Sequence, residues 1–497
     1  MSHKPARQRR WPRWLLAALV AAVACSAAAQ SGRVPLPDMG NSAENVISER
    51  EESDYAKALV RQMRAYEVLV EDPQISDFFS DMGYRLVANS DRPDKAFIFV
   101  VLDEPNVNAF AAPGGVIALH SGLILSAETE HEVAGVLAHE VAHITQLHLY
   151  RAFEKAQRMS IPLALVMLGM ILASGGDSDA ITGAVMGTNA MAQQMQINFT
   201  RENEKEADRI GIQTLWQAGY DPQGMASFFA KLNRLTRANG EGPPEFLRTH
   251  PVTVNRIAEA EDRAMSMPRP ATADGVDFYL MQARLRALLE DEPEDAITHF
   301  RNRQEVIQSP PQAEANRFGM AIALQREGEF EAAAELLAGL LERDPGRLAY
   351  QLQSANLDLE RGRADLALYR LAGLYHNFPG NHAIAMQYSE ALIRGNNAQQ
   401  AETASVILRQ QILLRGEDPA LYALYARAAN IAGDHVRAAE AIAESYYQRG
   451  GIREAMQQLE MLSRKPDLDY YQRSRVTARL LELRIQMGQL AEQRQSS

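Results

Sequence analysis

Cysteine is almost missing from this chain: 497 residues include one, Cys25, close to the N-terminus. A disulfide framework is therefore excluded, and stability must come from buried apolar surface and, locally, from bound metal. Long apolar runs are missing too. The longest spans residues 161–173, short of the ~20 residues that cross a bilayer as a helix. There is no basic surplus either. The formal net charge is −12, and no block of one sign stands out in the body of the chain. A general nucleic-acid-binding role is disfavoured, because that needs a net basic surface. With 46% hydrophobic and 23% charged residues the composition is that of a globular protein, and the length suits two or three domains.

The first acidic residue is Asp38, while Lys4, Arg7, Arg9, Arg10 and Arg13 are all basic. An apolar run from Trp14 to Ala24 follows, and then Ser26-Ala27-Ala28-Ala29. A basic start, a short apolar core and a small-residue site predict an export signal over residues 1–29, cut after Ala29. Its loss would take the net charge from −12 to −17. A membrane anchor is the competing reading, but the run is short. Ala22-Val23-Ala24-Cys25 also reads as a weak lipidation signal, although a Leu is usual where Ala22 stands. The expected compartment is the periplasm, with lipid anchoring at Cys25 as the alternative.

Residues 30–54 are polar, hold Pro35 and Pro37, and read as a mobile leader. A first domain is expected over 55–268. Helical spacing runs from Tyr55 to Val87, with Leu59, Met63, Tyr66, Leu69, Ile75, Phe79, Met82 and Leu86 on it. Residues 96–102, 108–111 and 116–120 read as three strands, with Pro113-Gly114-Gly115 a turn between the last two. A helix then begins near Ser126 or Thr129 and is expected to run past His148. Thr129 with Glu132 fits a capping box. The apolar stretch 161–173 and the methionines Met186, Met191 and Met195 read either as a buried helix or as a flap over the site that touches a membrane face. The flap is favoured, because the insert separates two parts of one candidate site. Further helices are expected over 203–217, over 228–235 and up to Ala264.

Beyond Pro268 and Pro270 the chain is helical and repetitive, and a second domain is expected over 277–490. Gly328 and Gly362 stand 34 residues apart, as do Pro345 and Pro379; Gly395 and Gly433 continue the series. That period, with glycine ending one helix and proline following the next, resembles tetratricopeptide repeats. Ala332, Ala333, Ala367, Ala401, Ala438 and Ala439 are the small residues expected where paired helices meet. A solenoid presents a long surface, so a protein partner is expected.

The chemistry centres on His139-Glu140-Val141-Ala142-His143. Histidines four apart share a helix face and can hold one ion, and Glu140 beside them can reach a water on that ion. Catalytic zinc takes three protein ligands and a water. Glu204 is the best third ligand, with Asp208 on the same face and suited to hold a ligand histidine by its other N–H. Glu206 points off that face and reads as solvated. His120, His131 and His148 read as surface residues, His148 because it lies five positions past His143. His250, before Pro251, is either a capped loop residue, an idle-state fourth ligand or an oxyanion stabiliser. The strand at 116–120 is expected to pair with an extended substrate.

Asn108–Gly115, Ala134–His143 and Glu204–Gly211 together make the chain resemble the HtpX and CAAX prenyl protease family of zinc peptidases. The signal segment, Thr249-His250-Pro251 and the repeats extend the resemblance to periplasmic members over nearly the whole chain. It implies a zincin-like metalloprotease domain, mainly α with a small β-sheet, followed by a TPR-like α-solenoid. It implies one Zn2+ per chain on His139, His143 and Glu204, with Glu140 as catalytic acid/base and Asp208 as a further catalytic residue, a proton donor. The implied setting is assembly and quality control of outer-membrane proteins. The partners would be unfolded or misassembled outer-membrane proteins, the β-barrel assembly machinery through the repeats, and a peripheral membrane contact. An adaptor with chaperone-like binding and a latent protease is the rival reading.

Overall fold

In a computed structural model describing residues 48–155, 201–238, 244–270, 275–307 and 309–495, the first helix starts where a leader was expected. Helix α1 (Glu49–Ala65) begins there because Ser48 and Glu51 cap each other reciprocally. It stops at Tyr66, so the helical spacing of this region belongs to two helices. Leu69 pairs with Leu102 in an isolated bridge between them. Helix α2 (Pro73–Ala88) then opens on the Asp72 cap with proline in its first turn, where a missing N–H costs nothing. The export segment, most of the predicted leader, and the apolar and Met-rich stretch up to residue 200 lie outside the described residues.

Strands β1 (Ile98–Leu102), β2 (Ala109–Ala112) and β3 (Val116–His120) form one sheet in the order β1-β3-β2. β1 runs parallel to β3 with Ile98 opposite Val116, and β2 runs antiparallel with Ala109 opposite Leu119. Both edges of β3 are therefore taken, which corrects the expectation that it pairs with substrate. Between β2 and β3, Gly114 adopts φ 77°, and a Cβ there would lie 2.3 Å from the Glu52 carbonyl oxygen. Only glycine fits that left-handed, crowded place.

Helix α3 (Ser121–Ser126) leads into α4 (Glu130–Thr145). Thr129 caps α4, but the expected box stays half closed. The Glu132 carboxylate instead accepts from the Glu128 N–H at 2.7 Å and the Ser227 hydroxyl at 3.1 Å. Every residue from Glu132 to Thr145 is buried, so α4 is a core helix on all sides. It does not run past His148. Leu147 takes φ 57°, and a new helix, α5 (His148–Lys155), leaves in another direction.

Helices α6 (Arg201–Gln217), α7 (Gln223–Ala238), α8 (Glu245–Thr249) and α9 (Val254–Met265) complete the shell around α4. Gly211 lets α6 lie directly on α4; a Cβ there would stand 3.1 Å from the Ala138 backbone. Phe228, Phe229 and Phe246 fill the space beside the crossing and are fully buried.

Twelve further helices follow among the described residues: α10 (Val276–Leu289), α11 (Pro293–Gln304), α12 (Pro310–Glu327), α13 (Phe330–Arg343), α14 (Leu348–Glu360), α15 (Ala364–Asn377), α16 (His382–Arg394), α17 (Ala398–Leu414), α18 (Pro419–Ile431), α19 (His435–Gln448), α20 (Ile452–Ser463) and α21 (Tyr470–Gln495). They pack as successive pairs in a TPR-like solenoid, and the fold is mainly α with one small sheet. Ala333, Ala367, Ala401 and Ala438 are buried at the pair contacts, whereas Ala332 faces out. Gly328, Gly362 and Gly433 end helices with φ between 73° and 91°, but Gly395 does not; Asn396 holds the left-handed place there, at φ 51°. The solenoid folds back onto α1 and α2: Lys57 meets Glu417 at 3.1 Å, Arg415 meets Asp77 at 3.0 Å, and Arg61 lies over the Tyr447 ring at 4.8 Å. No helix among the described residues is long and apolar enough to cross a membrane.

Candidate metal centre

Helix α4 carries His139 and His143 one turn apart, and both rings are buried. Their Nε2 atoms come within 3.0 Å of each other. Helix α6, seated on α4 by Gly211, brings Glu204 to them: Oε1 is 3.5 Å from His143 Nε2, and Oε2 is 3.6 Å from His139 Nε2. His250 arrives from the end of α8. Its Nδ1 lies 3.4 Å from His139 Nε2 and 3.0 Å from Glu204 Oε1. The backbone N–H of His250 donates to the Phe246 carbonyl at 2.8 Å, and its ring stacks on Phe246 at 4.9 Å.

These four side chains offer ligand atoms that all lie within 4.8 Å of one another. Zinc takes tetrahedral ligands at ~2.0–2.2 Å, which separates neighbouring ligand atoms by ~3.3–3.6 Å. Separations of 3.0–3.6 Å among these atoms fall in or close to that range. The charge fits as well. Glu140, Glu204 and Asp208 supply three buried carboxylates against one guanidinium, Arg256, so a divalent cation balances the group. The residues present fit a zinc ion.

Glu140 is almost fully buried, and its Oε1 lies 3.6 Å from His250 Nε2. Burial pushes its carboxyl up, with His250 and His139 working the other way. The backbone N–H of Ala111 donates to it, tying β2 to the centre. Burial works against charge on His250 too, but Glu140 and Glu204 outweigh it and hold the imidazolium above its usual range. A cation arriving among these groups displaces that proton, as metal binding to imidazole must.

Asp208 Oδ1 lies 3.0 Å from His139 Nδ1, and Asp208 receives Arg256 on both oxygens at 2.7 Å. Burial opposes its charge, but His139 and Arg256 outweigh that and hold it below the usual carboxylate range. With Arg256 on both oxygens, Asp208 faces the outer nitrogen of His139. Arg256 also reaches Glu204 Oε2 at 2.7 Å and lies over Phe229. Sequence reasoning missed it, because a lone arginine in an amphipathic helix carries no signal of its own. It also misplaced His148 and Glu206. His148 is fully buried and meets His143 Nδ1 at 2.9 Å, and Glu206 bonds His148 and Arg151, each at 3.1 Å. His120 is buried as well, which pushes its pKa down to about 4.

A histidine pair enclosing a glutamate on one buried helix, joined by a carboxylate from a second, is the arrangement of a metallopeptidase. Peptidase family M48 matches residues 78–264. The chain is 33% identical over 450 residues to the beta-barrel assembly-enhancing protease of Escherichia coli (strain K12), covering 90% of this chain and 91% of that one. It is 32% identical over 189 residues, 36% of each chain, to the mitochondrial metalloendopeptidase OMA1 of Arabidopsis thaliana. A thermophilic TPR protein of Thermus thermophilus aligns over 34% of this chain and 100% of its own, with 21% identity and a TM-score of 0.24. The chain belongs to peptidase family M48, alongside the beta-barrel assembly-enhancing proteases, and is a metalloendopeptidase with a metal cofactor consistent with zinc.

Proposed function

We propose that this chain is a zinc endopeptidase of the bacterial periplasm that degrades misassembled outer-membrane proteins and assists their assembly. The observation that carries the chemistry is the meeting of His139, His143, Glu204 and His250, whose ligand atoms all lie within 4.8 Å of one another. The setting is supported by the name of the E. coli relative. The metallopeptidase part is taken as residues 55–268 and the repeat part as 277–490, the latter binding assembly machinery on the surface it does not pack against α1 and α2.

His139, His143 and Glu204 serve as the permanent ligands, and His250 as a removable fourth. Zinc held there would polarise a peptide carbonyl and make water acidic near neutrality. Glu140, with its carboxyl raised by burial, takes the water's proton and passes it to the leaving amine. Asp208 and Arg256 keep His139 and Glu204 in place. The extended substrate pairs with β2 rather than β3. The His120 backbone N–H donates to the Asn108 carbonyl, so alternation turns the Ala109 and Ala111 backbone groups away from β3; the Ala109 N–H is taken by Asn108 Oδ1 at 2.9 Å and the Ala111 N–H by Glu140, which leaves their carbonyls to receive a substrate strand beside Glu140. An edge of this kind accepts unfolded segments, because a folded chain has no free strand to offer.

The test is metal content and casein cleavage of the purified chain beside Glu140→Gln. One zinc in each, with cleavage falling at least ~100-fold in the variant, is expected for loss of a general base. Equal cleavage removes the enzymatic assignment from this site. The adaptor reading keeps one observation in its favour, the filled fourth position, since a centre closed by His250 is latent until opened.

A further inference from the structure

His139 leans on a carboxylate through Asp208. For His143 the corresponding nitrogen meets a third imidazole. Its Nδ1 lies 2.9 Å from Nδ1 of His148, whose Nε2 lies 3.1 Å from Glu206 Oε2. Arg151 reaches the same Glu206 oxygen at 3.1 Å. His148 is fully buried, whereas the Glu206 side chain is 31% exposed at the rim.

We propose that His148 is a positioning residue for the metal centre: it holds His143 in the tautomer that leaves Nε2 bare, and Glu206 sets His148 in turn. This rests on the zinc reading above. The proton count decides it. Two Nδ1 atoms facing each other share one proton. With the His143 proton on Nδ1, its Nε2 lone pair points at the other ligand atoms. His148 Nδ1 then accepts, its proton sits on Nε2, and Glu206 receives it. Each polar atom in that chain has a partner of the right kind. The reverse order puts a proton on His143 Nε2, where the cation would bind, and sets the His148 Nε2 lone pair against a carboxylate oxygen. Glu206 forbids that order, because the oxygen facing His148 Nε2 also receives the Arg151 guanidinium at 3.1 Å and is an acceptor. Imidazole ligands are generally fixed through their second nitrogen in this way.

The backbone is bent to make the contact. On a straight helix, residues five apart differ by ~140° around the axis, so His148 would face away from His143. Leu147 instead takes φ 57°, a left-handed conformation that a residue with a Cβ rarely adopts. The turn starts α5 in a new direction and returns the His148 ring to the ligand. Strain of this kind persists where the surrounding structure holds it for a purpose.

The experiment is zinc affinity of the full chain by competition with a chromophoric chelator, for the parent, His148→Phe, His148→Gln and Glu206→Ala. Loss of an outer partner typically weakens metal affinity ~10–100-fold, and that loss is expected for His148→Phe, which keeps ring volume but cannot accept a proton. His148→Gln should restore most of the affinity, because its amide accepts from His143 and donates to Glu206. Glu206→Ala should fall between them. A merely structural role would lower the metal-free melting temperature without separating Phe from Gln in zinc affinity. Parental affinity in His148→Phe, or equal weakness in the Gln and Phe variants, overturns the proposal. Should His148→Phe not fold, Glu206→Ala decides, since a rim residue can be removed without opening the core, and parental affinity there overturns it. A parent that takes up no zinc sinks the zinc reading and this inference together; a zinc-binding parent with unaffected variants sinks this inference alone.

Discussion

At the residue scale the question is what His250 does in the fourth corner. Its ring is clamped between Phe246 and the carboxylates of Glu204 and Glu140, and it is 2% exposed. Three protein ligands leave a catalytic zinc one open place, and a fourth closes it. Cleavage then waits on a form with His250 withdrawn. If that form holds about a tenth of the population, fixing it open raises the rate ~10-fold. His250→Ala is therefore expected to cleave an unfolded protein about that much faster, with zinc still bound. A lower rate would assign His250 to the transition state instead, as a donor to the oxyanion. An unchanged rate discards both roles.

At the element scale, α2 is joined to α10 by an ion pair between half-buried Asp72 and buried Arg284. Asp72 caps α2 through the Ile75 N–H and takes Arg284 on both oxygens, at 2.8 Å and 2.6 Å. Burial works against the Asp72 charge, but Arg284 outweighs it and holds the carboxyl below its usual range. Folding thus favours the ionised form. The contribution is complete above the free-aspartate pKa of about 4, and it is lost as pH falls below that toward the lowered folded value. Removing one partner of a buried pair costs ~3–5 kcal/mol. Asp72→Asn, which keeps a cap, should be less stable than the parent at pH 7 in urea titration, and should lose less of its stability between pH 4 and pH 2. Parallel curves would mean that Arg284 does not govern this carboxyl. The same scale shows what the residues announced. The histidine pair and Glu204 were legible because their spacing is a helical one, and α4 and α6 are regular through those positions. His148 was not, because its place depends on one left-handed residue, Leu147, that no pattern in Gln146-Leu147-His148 marks. Arg256 was hidden for another reason: what makes it functional is the crossing of α9 over α6, a tertiary fact. The role given to β3 failed because strand order cannot be read from three short runs, and the central place fell to the last of them.

At the scale of the whole molecule, the centre joins segments far apart in the chain. His139 and His250 are 111 residues apart, and Glu204 comes from between them. Closing such loops costs chain entropy, and packing three buried carboxylates with one arginine adds repulsion. A bound cation offsets both. A ligand at a thousand times its dissociation constant stabilises the folded state by ~4 kcal/mol. Chelation should therefore lower the melting temperature by several degrees, and added zinc should restore it. The loss should be local first, because α4, α6 and the residues of α8 and α9 meet at the ion while α14 to α19 do not. Hydrogen exchange should quicken in peptides over 201–217 and 245–265 on chelation and stay unchanged over 348–448. Exchange that is equal with and without chelator in the first two regions would show that no ion holds these elements together. A change that also spreads through the repeats would show that the contacts of Lys57, Arg415 and Arg61 couple the solenoid to the metal centre more tightly than surface ion pairs ordinarily do.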